Sequence, residues 1–161
     1  MTPLAPIVLL PLLAGTLLCL WVGHRNTPGR RRATAWLAGA VTAAALALLL
    51  SLAPRVFGGE VLLSQTEWVP AIGLNANFRL DGLAWMFAAL ITAIGLLIVL
   101  YAAFYLHDDD PAGKFFGTLM LFMAAMLGIA LSENLLLLLV FWELTSVSSF
   151  LLIGYWGGRE E

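Results

Sequence analysis

Apolar residues along this chain fall into five long runs separated by polar stretches, at about residues 3–22, 33–53, 82–106, 114–131 and 134–156. Runs of this length predict membrane-crossing helices. Pro3 and Pro6 suit the start of the first run, where proline lacks only a donor that would be unpaired anyway; Pro11 predicts a kink within it. The second run is rich in Ala and Leu, its small residues allowing close helix packing, and Pro54 is expected to end it. Asp81 is placed to cap the third run, ahead of Leu83, Met86, Phe87 and Leu90. Tyr101 and Tyr105 lie toward its other end, as interfacial belt residues do. A helix over 82–106 is about 37 Å long, enough to cross with some tilt. Met120, Met123 and Met126 in the fourth run read as adaptable packing. Ser132, Glu133 and Asn134 form a tight turn into the fifth run, which closes at Tyr155 and Trp156.

The polar stretches differ in kind. Residues 23–32, GHRNTPGRRR, carry four arginines and turn formers. The longest connector, 55–80, holds Gly58 and Gly59, a short alternating piece near Val61 to Ser64, and an amphipathic part built on Trp68, Val69, Pro70, Ile72 and Leu74. It predicts an interfacial hairpin or irregular flap with Trp68 as an anchor. Asp108–Asp110 read as a solvated loop, with attraction of cations to an entrance as the alternative.

Composition agrees with the pattern. Of 161 residues, 61% are hydrophobic and 11% charged, against about 25% charge in a soluble domain. The fold class expected is all-α: a single polytopic membrane domain over 1–161 with five transmembrane helices. The net charge of −2 comes with no basic tract of the kind nucleic-acid binding requires. The first run has no basic residues before it, so it is expected to be a retained span and not a cleaved signal. Cys19 is the single cysteine and reads as a small apolar packing residue. His24 and His107 lie in polar connectors, outside any metal-ligand pattern, and neither metal nor cofactor is expected.

Five spans place the termini on opposite sides. Arg25, Arg30, Arg31, Arg32, Lys114 and Arg159 fall on one side, Arg55 and Arg79 on the other. The bias of Lys and Arg toward the cytoplasm puts the arginine stretch inside the cell's plasma (inner) membrane, the N-terminus outside and the C-terminus in the cytoplasm.

One residue breaks the apolar pattern with chemical consequence. Glu143 lies nine residues beyond Asn134, near mid-span. A carboxylate there costs about 2.5–3.5 kcal/mol on insertion scales, and such residues mark ion and proton paths. Low dielectric favours the neutral carboxyl and a nearby cation the charged one, so a carboxyl poised between them can take and release a proton. Ser146, one turn on, is placed to support it by a hydrogen bond. The alternative is a neutral glutamate that only bonds helices together. No Lys or Arg lies inside another run, so the partner of Glu143 must come from another subunit or from sequence outside this chain. Glu133, beside Asn134, is either an N-terminal acid favoured by the helix dipole or the mouth of a proton path. The P-loop, Gly-x-Gly-x-x-Gly, Cys-x-x-Cys and His-Glu-x-x-His motifs of soluble enzymes are absent.

These residues carry a family resemblance. NFRLDGLAWMFAALITAIGLLIVLYAAFYL (77–106) resembles the third-helix region of the large antiporter-like membrane subunits. FMAAMLGIALSENLLLLLVFWELTSVSSFLLIGYW (122–156) resembles their fourth and fifth helices. The chain is similar to the N-terminal portion of the A subunit of the multisubunit monovalent cation/proton antiporter (the Mrp or Mnh type). That subunit is related to subunit L, or 5, of respiratory complex I. The resemblance implies an antiporter-like helix bundle, with Glu143 of the FWELTS segment as a proton-channel residue. It also implies pairing of Glu143 with a lysine on a later helix, which this chain does not contain. The function implied is sodium/proton antiport within a multisubunit complex, the partners being its other subunits, protons, a monovalent cation and the lipid bilayer. The runner-up is the N-terminal part of a proton-pumping NADH-quinone oxidoreductase membrane subunit; a third reading is a structural or assembly membrane protein.

Overall fold

A computed structural model describes residues 4–21, 28–106 and 110–156. Among the described residues five α-helices make up the bundle: α1 Leu4–Trp21, α2 Pro28–Phe57, α3 Gly82–Tyr105, α4 Ala112–Leu131 and α5 Leu135–Ile153. Between α2 and α3, β1 Leu62–Ser64 pairs antiparallel with β2 Phe78–Leu80, Leu62 facing Leu80 and Ser64 facing Phe78. Helices α2 to α5 are long and apolar enough to cross a membrane, while the apolar part of α1, Leu4–Leu20, is shorter.

The central post is α4. Of its most apolar stretch 61% is buried, against 17–33% for α2, α3 and α5, and it touches all four other helices. Its small residues explain why. Gly117 lies against Gly15 of α1 so closely that a Cβ on Gly117 would fall 2.8 Å from the Cys19 nitrogen, and one on Gly15 would fall 2.8 Å from the Leu121 nitrogen. Neither fits, so the two backbones meet directly, the packing mode of small residues between membrane helices. Cys19 sits in this crossing, its Sγ 3.9 Å from Thr118 Oγ1. Farther along α4, Gly128 receives the ring of Phe141 from α5, which occupies the space a side chain would need. Phe141 also meets Phe78 of β2 at 6.5 Å, so one ring joins two helices and the hairpin.

The polar atoms inside this core are satisfied locally. Thr42 donates to Ala38 O at 2.8 Å and Thr92 to Ala88 O at 2.7 Å, so both buried hydroxyls meet a carbonyl of their own helix in an apolar surround. Met120 and Met123 are buried and Met126 half-buried, in keeping with packing roles.

Several boundaries differ from the sequence expectation. Helix α2 begins at Pro28 and so takes in the arginine run, and it continues past Pro54 to Phe57. Pro54 sits in the last turn, where it removes only the bond its N–H would make to Leu50 O; the neighbouring Leu49 carbonyl accepts from Trp85 Nε1 at 2.9 Å. Arg31 is consequently a helical residue whose guanidinium donates to Leu106 O at the end of α3. Asp110, expected in a solvated loop, is 97% buried, because the chain turns there into α4; Asp108 and Asp109 lie outside the described residues, as do His24 and His107.

The Gly128–Phe141 contact generates a prediction. Gly128→Leu should displace the ring and cost about 1–3 kcal/mol by overpacking, read as a lowered unfolding midpoint in detergent. Adding Phe141→Ala should recover part of that loss. A midpoint unchanged by Gly128→Leu would contradict the seam.

Candidate functional site

The site is set by how α5 is held. Asn134 caps it, its Oδ1 accepting from Leu136 N at 2.9 Å and Leu137 N at 3.1 Å, while its Nδ2 donates to Gly73 O at 2.8 Å. The connector 65–77 is thereby fastened to the turn. Glu133 N donates to Asn77 O at 2.9 Å, and Phe78 bridges Ser132. The hairpin thus clamps the α4–α5 turn from outside the bundle, and Gly73, at φ +75°, makes the bend that presents its carbonyl to Asn134.

Below the cap, α5 meets α4 along one stripe: Leu137, Phe141 and Ser148 are buried and Leu144 is half-buried. Residues advance about 100° each around a helix. Glu143 follows Phe141 by two positions, so it projects about 200° away from that stripe. It is exposed, at the centre of an exposed row made by Leu136, Leu139, Val140, Ser146, Val147 and Phe150. Among the described residues nothing is seen to bond with its carboxylate. It lies about 13 Å along the axis from Asn134, near the middle of a helix about 28 Å long.

The hydroxyls around it are turned to their own helix. Thr145 Oγ1 donates to Trp142 O at 2.5 Å, Ser146 Oγ to the same carbonyl at 3.4 Å, and Ser148 Oγ to Leu144 O at 2.6 Å. Ser149 Oγ donates to Thr145 O. The expected bond from Ser146 to Glu143 is therefore not made in this arrangement: a hydroxyl in an apolar stretch finds the carbonyl one turn back before it finds a side chain. Ser146 does share the exposed row with Glu143. Glu133 is exposed immediately before the Asn134 cap of α5, while Glu143 lies near the middle of the helix, so the two acids do not meet.

Asp81 caps α3 as expected, its Oδ1 accepting from Ala84 N at 2.9 Å and its Oδ2 lying 3.3 Å from Arg79 Nε. The Ala84 N–H holds this carboxyl below its ordinary value, burial opposes the shift, and the Arg79 charge adds to it. Among the described residues no group of three or more His, Cys, Asp or Glu is placed to hold a metal.

Sequence reasoning did not find the hairpin's clamp. Its signal was Asn134, a strong cap with a side-chain amide to spare, but its distant partner Gly73 has no local mark in the sequence.

Comparison with known proteins bears on the same elements. Residues 68–116 match the family described as NADH-ubiquinone oxidoreductase (complex I), chain 5 N-terminus. A Rhizobium meliloti subunit of the K+/H+ antiporter A/B type is 52% identical over 127 residues, covering 79% of this chain and 13% of the relative. A Staphylococcus haemolyticus Na+/H+ antiporter subunit A1 is 50% identical over 107 residues, covering 66% and 13%. In the solved Mrp complex of a Dietzia species, a subunit superposes with a TM-score of 0.74 at 28% identity over 93% of this chain and 16% of that one. An archaeal membrane-bound sulfane sulfur reductase shares the fold, with a TM-score of 0.73 at 22% identity, covering 92% and 22%. The chain thus spans about an eighth of the length of the curated relatives it matches.

Two predictions follow from the caps. Asn134→Ala should cost about 1 kcal/mol at the start of α5 and free the Gly73 loop, seen as faster amide exchange at Leu136 and Leu137; unchanged exchange would refute the clamp. The folded Asp81 carboxyl titrates below its unfolded value, so its stabilisation is complete above the ordinary carboxylate range and is lost as pH falls through the depressed value. Protection of the Ala84 amide should therefore fade in acid, and Asp81→Ser, which caps without titrating, should remove that dependence. By sequence over most of its length, and by fold, this chain matches the A subunits of Mrp-type Na+/H+ and K+/H+ antiporters, which are related to the N-terminal region of complex I chain 5.

Proposed function

We propose that this chain forms the N-terminal part of an antiporter A subunit in a multisubunit complex, and that Glu143 is a protonatable station on its proton path. The observation that carries the reading is the placement of Glu143 near half-depth of α5, on a row that none of the described helices covers. An acid facing lipid at that depth is costly, so the reading requires further helices over this row. The relatives extend far beyond the matched portion, which supports a cover supplied by the same subunit. A cation on a covering helix would hold the glutamate charged, and its withdrawal would favour the neutral form; that alternation is what a relay uses. Ser146 is the hydroxyl placed to support it, by rotation or through a water, and Glu133 is the weaker candidate for an entrance.

In this reading α1, at about 27 Å, is the fifth span. The arginine end of α2 faces the cytoplasm, with the N-terminus outside, in the plasma (inner) membrane. The role is transport and not enzymatic chemistry. Sodium is the proposed cation; the potassium type of the Rhizobium relative makes potassium the alternative, measured in the same assay. The match of residues 68–116 to complex I chain 5 favours a second reading, an NADH-quinone oxidoreductase membrane subunit. Co-purifying flavin and iron–sulfur subunits would distinguish it from an antiporter.

The test is Glu143→Gln in the complete complex, in everted vesicles energised to an inward proton gradient. Sodium- or potassium-driven collapse of the gradient should slow by about a hundredfold, the scale of losing a positioned proton carrier, while Glu143→Asp keeps part of the rate. Unchanged rate and pH dependence in the Gln variant would defeat the proposal and leave a packing or assembly role.

A further inference from the structure

Where the start of α3 meets the end of α4, a pocket of about 200 Å³ has Arg79 and Asp81 in its polar lining and Leu83, Phe87 and Ala130 in its apolar lining. Local structure turns both charges toward it. Alternation along β2 buries Phe78 and Leu80 and leaves Arg79 exposed. Asp81 is fixed by capping α3 through Oδ1, with its Oδ2 3.3 Å from Arg79 Nε. The two side chains keep 48% and 36% of their surface exposed. An exposed pair joined by one such contact contributes little to stability, so each charge can take a further partner. The Arg55–Glu60 pair at the end of α2 differs: there Nε and Nη2 grip both carboxylate oxygens, and the pair is closed on itself.

The apolar side carries the next step. Asp81 caps a helix long enough to cross a membrane, which puts the charged pair at headgroup level. From the pocket, Leu83, Phe87, Leu90 and Ile94 follow one face of α3 at helical spacing, each 46–64% exposed. These first three turns cover about 17 Å, about half of a hydrocarbon core about 30 Å thick. That is as much apolar wall as an acyl chain in one leaflet needs. The charged pair then selects the headgroup. A net anionic headgroup meets the Asp81 carboxylate and is disfavoured. A choline headgroup is cationic but has no N–H to donate. An ethanolamine headgroup brings a phosphate for the guanidinium and an ammonium, with three donors like that of lysine, for the carboxylate.

We propose that this pocket seats one phosphatidylethanolamine, its phosphate at Arg79, its ammonium at Asp81 and an acyl chain along Leu83, Phe87 and Leu90. This inference is independent of the role assigned to Glu143.

The test is photo-cross-linking of the complete complex in vesicles doped with a phospholipid whose acyl chain carries a diazirine. The lipid is offered with an ethanolamine, choline or glycerol headgroup, and adducts are mapped on residues 83–94. The ethanolamine lipid should give the highest yield. Asp81→Asn still caps α3 but carries no charge. It should lower that yield about fivefold, the weight of one charge near a lipid surface, and leave no preference for ethanolamine over glycerol. Arg79→Gln should lower the yield with all three lipids by a similar factor. Arg55→Gln, at the closed pair, should leave the yields unchanged. Equal yields from the three headgroups, or an ethanolamine yield that neither Asp81→Asn nor Arg79→Gln lowers, would overturn the proposal. So would the absence of adducts on α3, which would show that protein covers this face.

Discussion

The direction in which α5 faces is set by one side chain that is missing. Gly128 leaves room on α4, and the Phe141 ring fills it. Membrane helices gain little from being apolar, because lipid is apolar too; they associate where their surfaces fit and backbones approach. A ring seated on a glycine is such a fit, and it fixes the rotation of α5 about its own axis. Everything two positions away from Phe141 then faces away from α4. The exposure of Glu143 is thus a consequence of packing elsewhere on the helix and not of its own polarity. The Asn134 cap and the hairpin hold the axial position to match, through Gly73, Asn77 and Phe78.

The elements of the fold were largely legible in the sequence because membrane constraints are simple. Runs of apolar residues of bilayer length become helices, since no other unclosed backbone satisfies its polar groups in lipid. Asp81 was readable as a start because capping is local chemistry, and Ser132 to Asn134 as a turn because three polar residues interrupt an apolar run. The bounds of α2 were less so. Pro54 signals a stop, yet in a last turn it forgoes a single bond, and the chain continues as helix to Phe57. The arginine run reads as loop by polarity alone; Arg31, bonded to the end of α3, belongs to a helix that projects past the apolar zone. Asp110 reads as a solvated acid from its place in a polar stretch, yet it is 97% buried.

The candidate site was legible in identity but not in aspect. A lone glutamate in an apolar run marks itself. Which way it faces depends on Gly128, fifteen residues earlier, and that pairing has no local signature. Ser146 shows the same limit at shorter range: its spacing from Glu143 is right for a bond, but the Trp142 carbonyl lies nearer to its hydroxyl. Spacing identifies candidates, whereas competition with the helix's own carbonyls decides among them.

The two outward surfaces of the bundle differ in a way that suggests different surroundings. The row on α5 carries an acid near half-depth, where lipid offers neither water nor counter-charge, so its energetic demand is for polar protein. The groove between α2 and α3 has small apolar residues, Gly39, Ala40 and Ala43, along its floor, and among the described residues its charged lining is Arg31 and Arg32. An apolar floor is at ease in lipid, whereas a carboxyl near half-depth is not. On that ground the α5 row is the surface whose chemistry calls for polar cover, and the apolar floor of the α2–α3 groove makes no such demand.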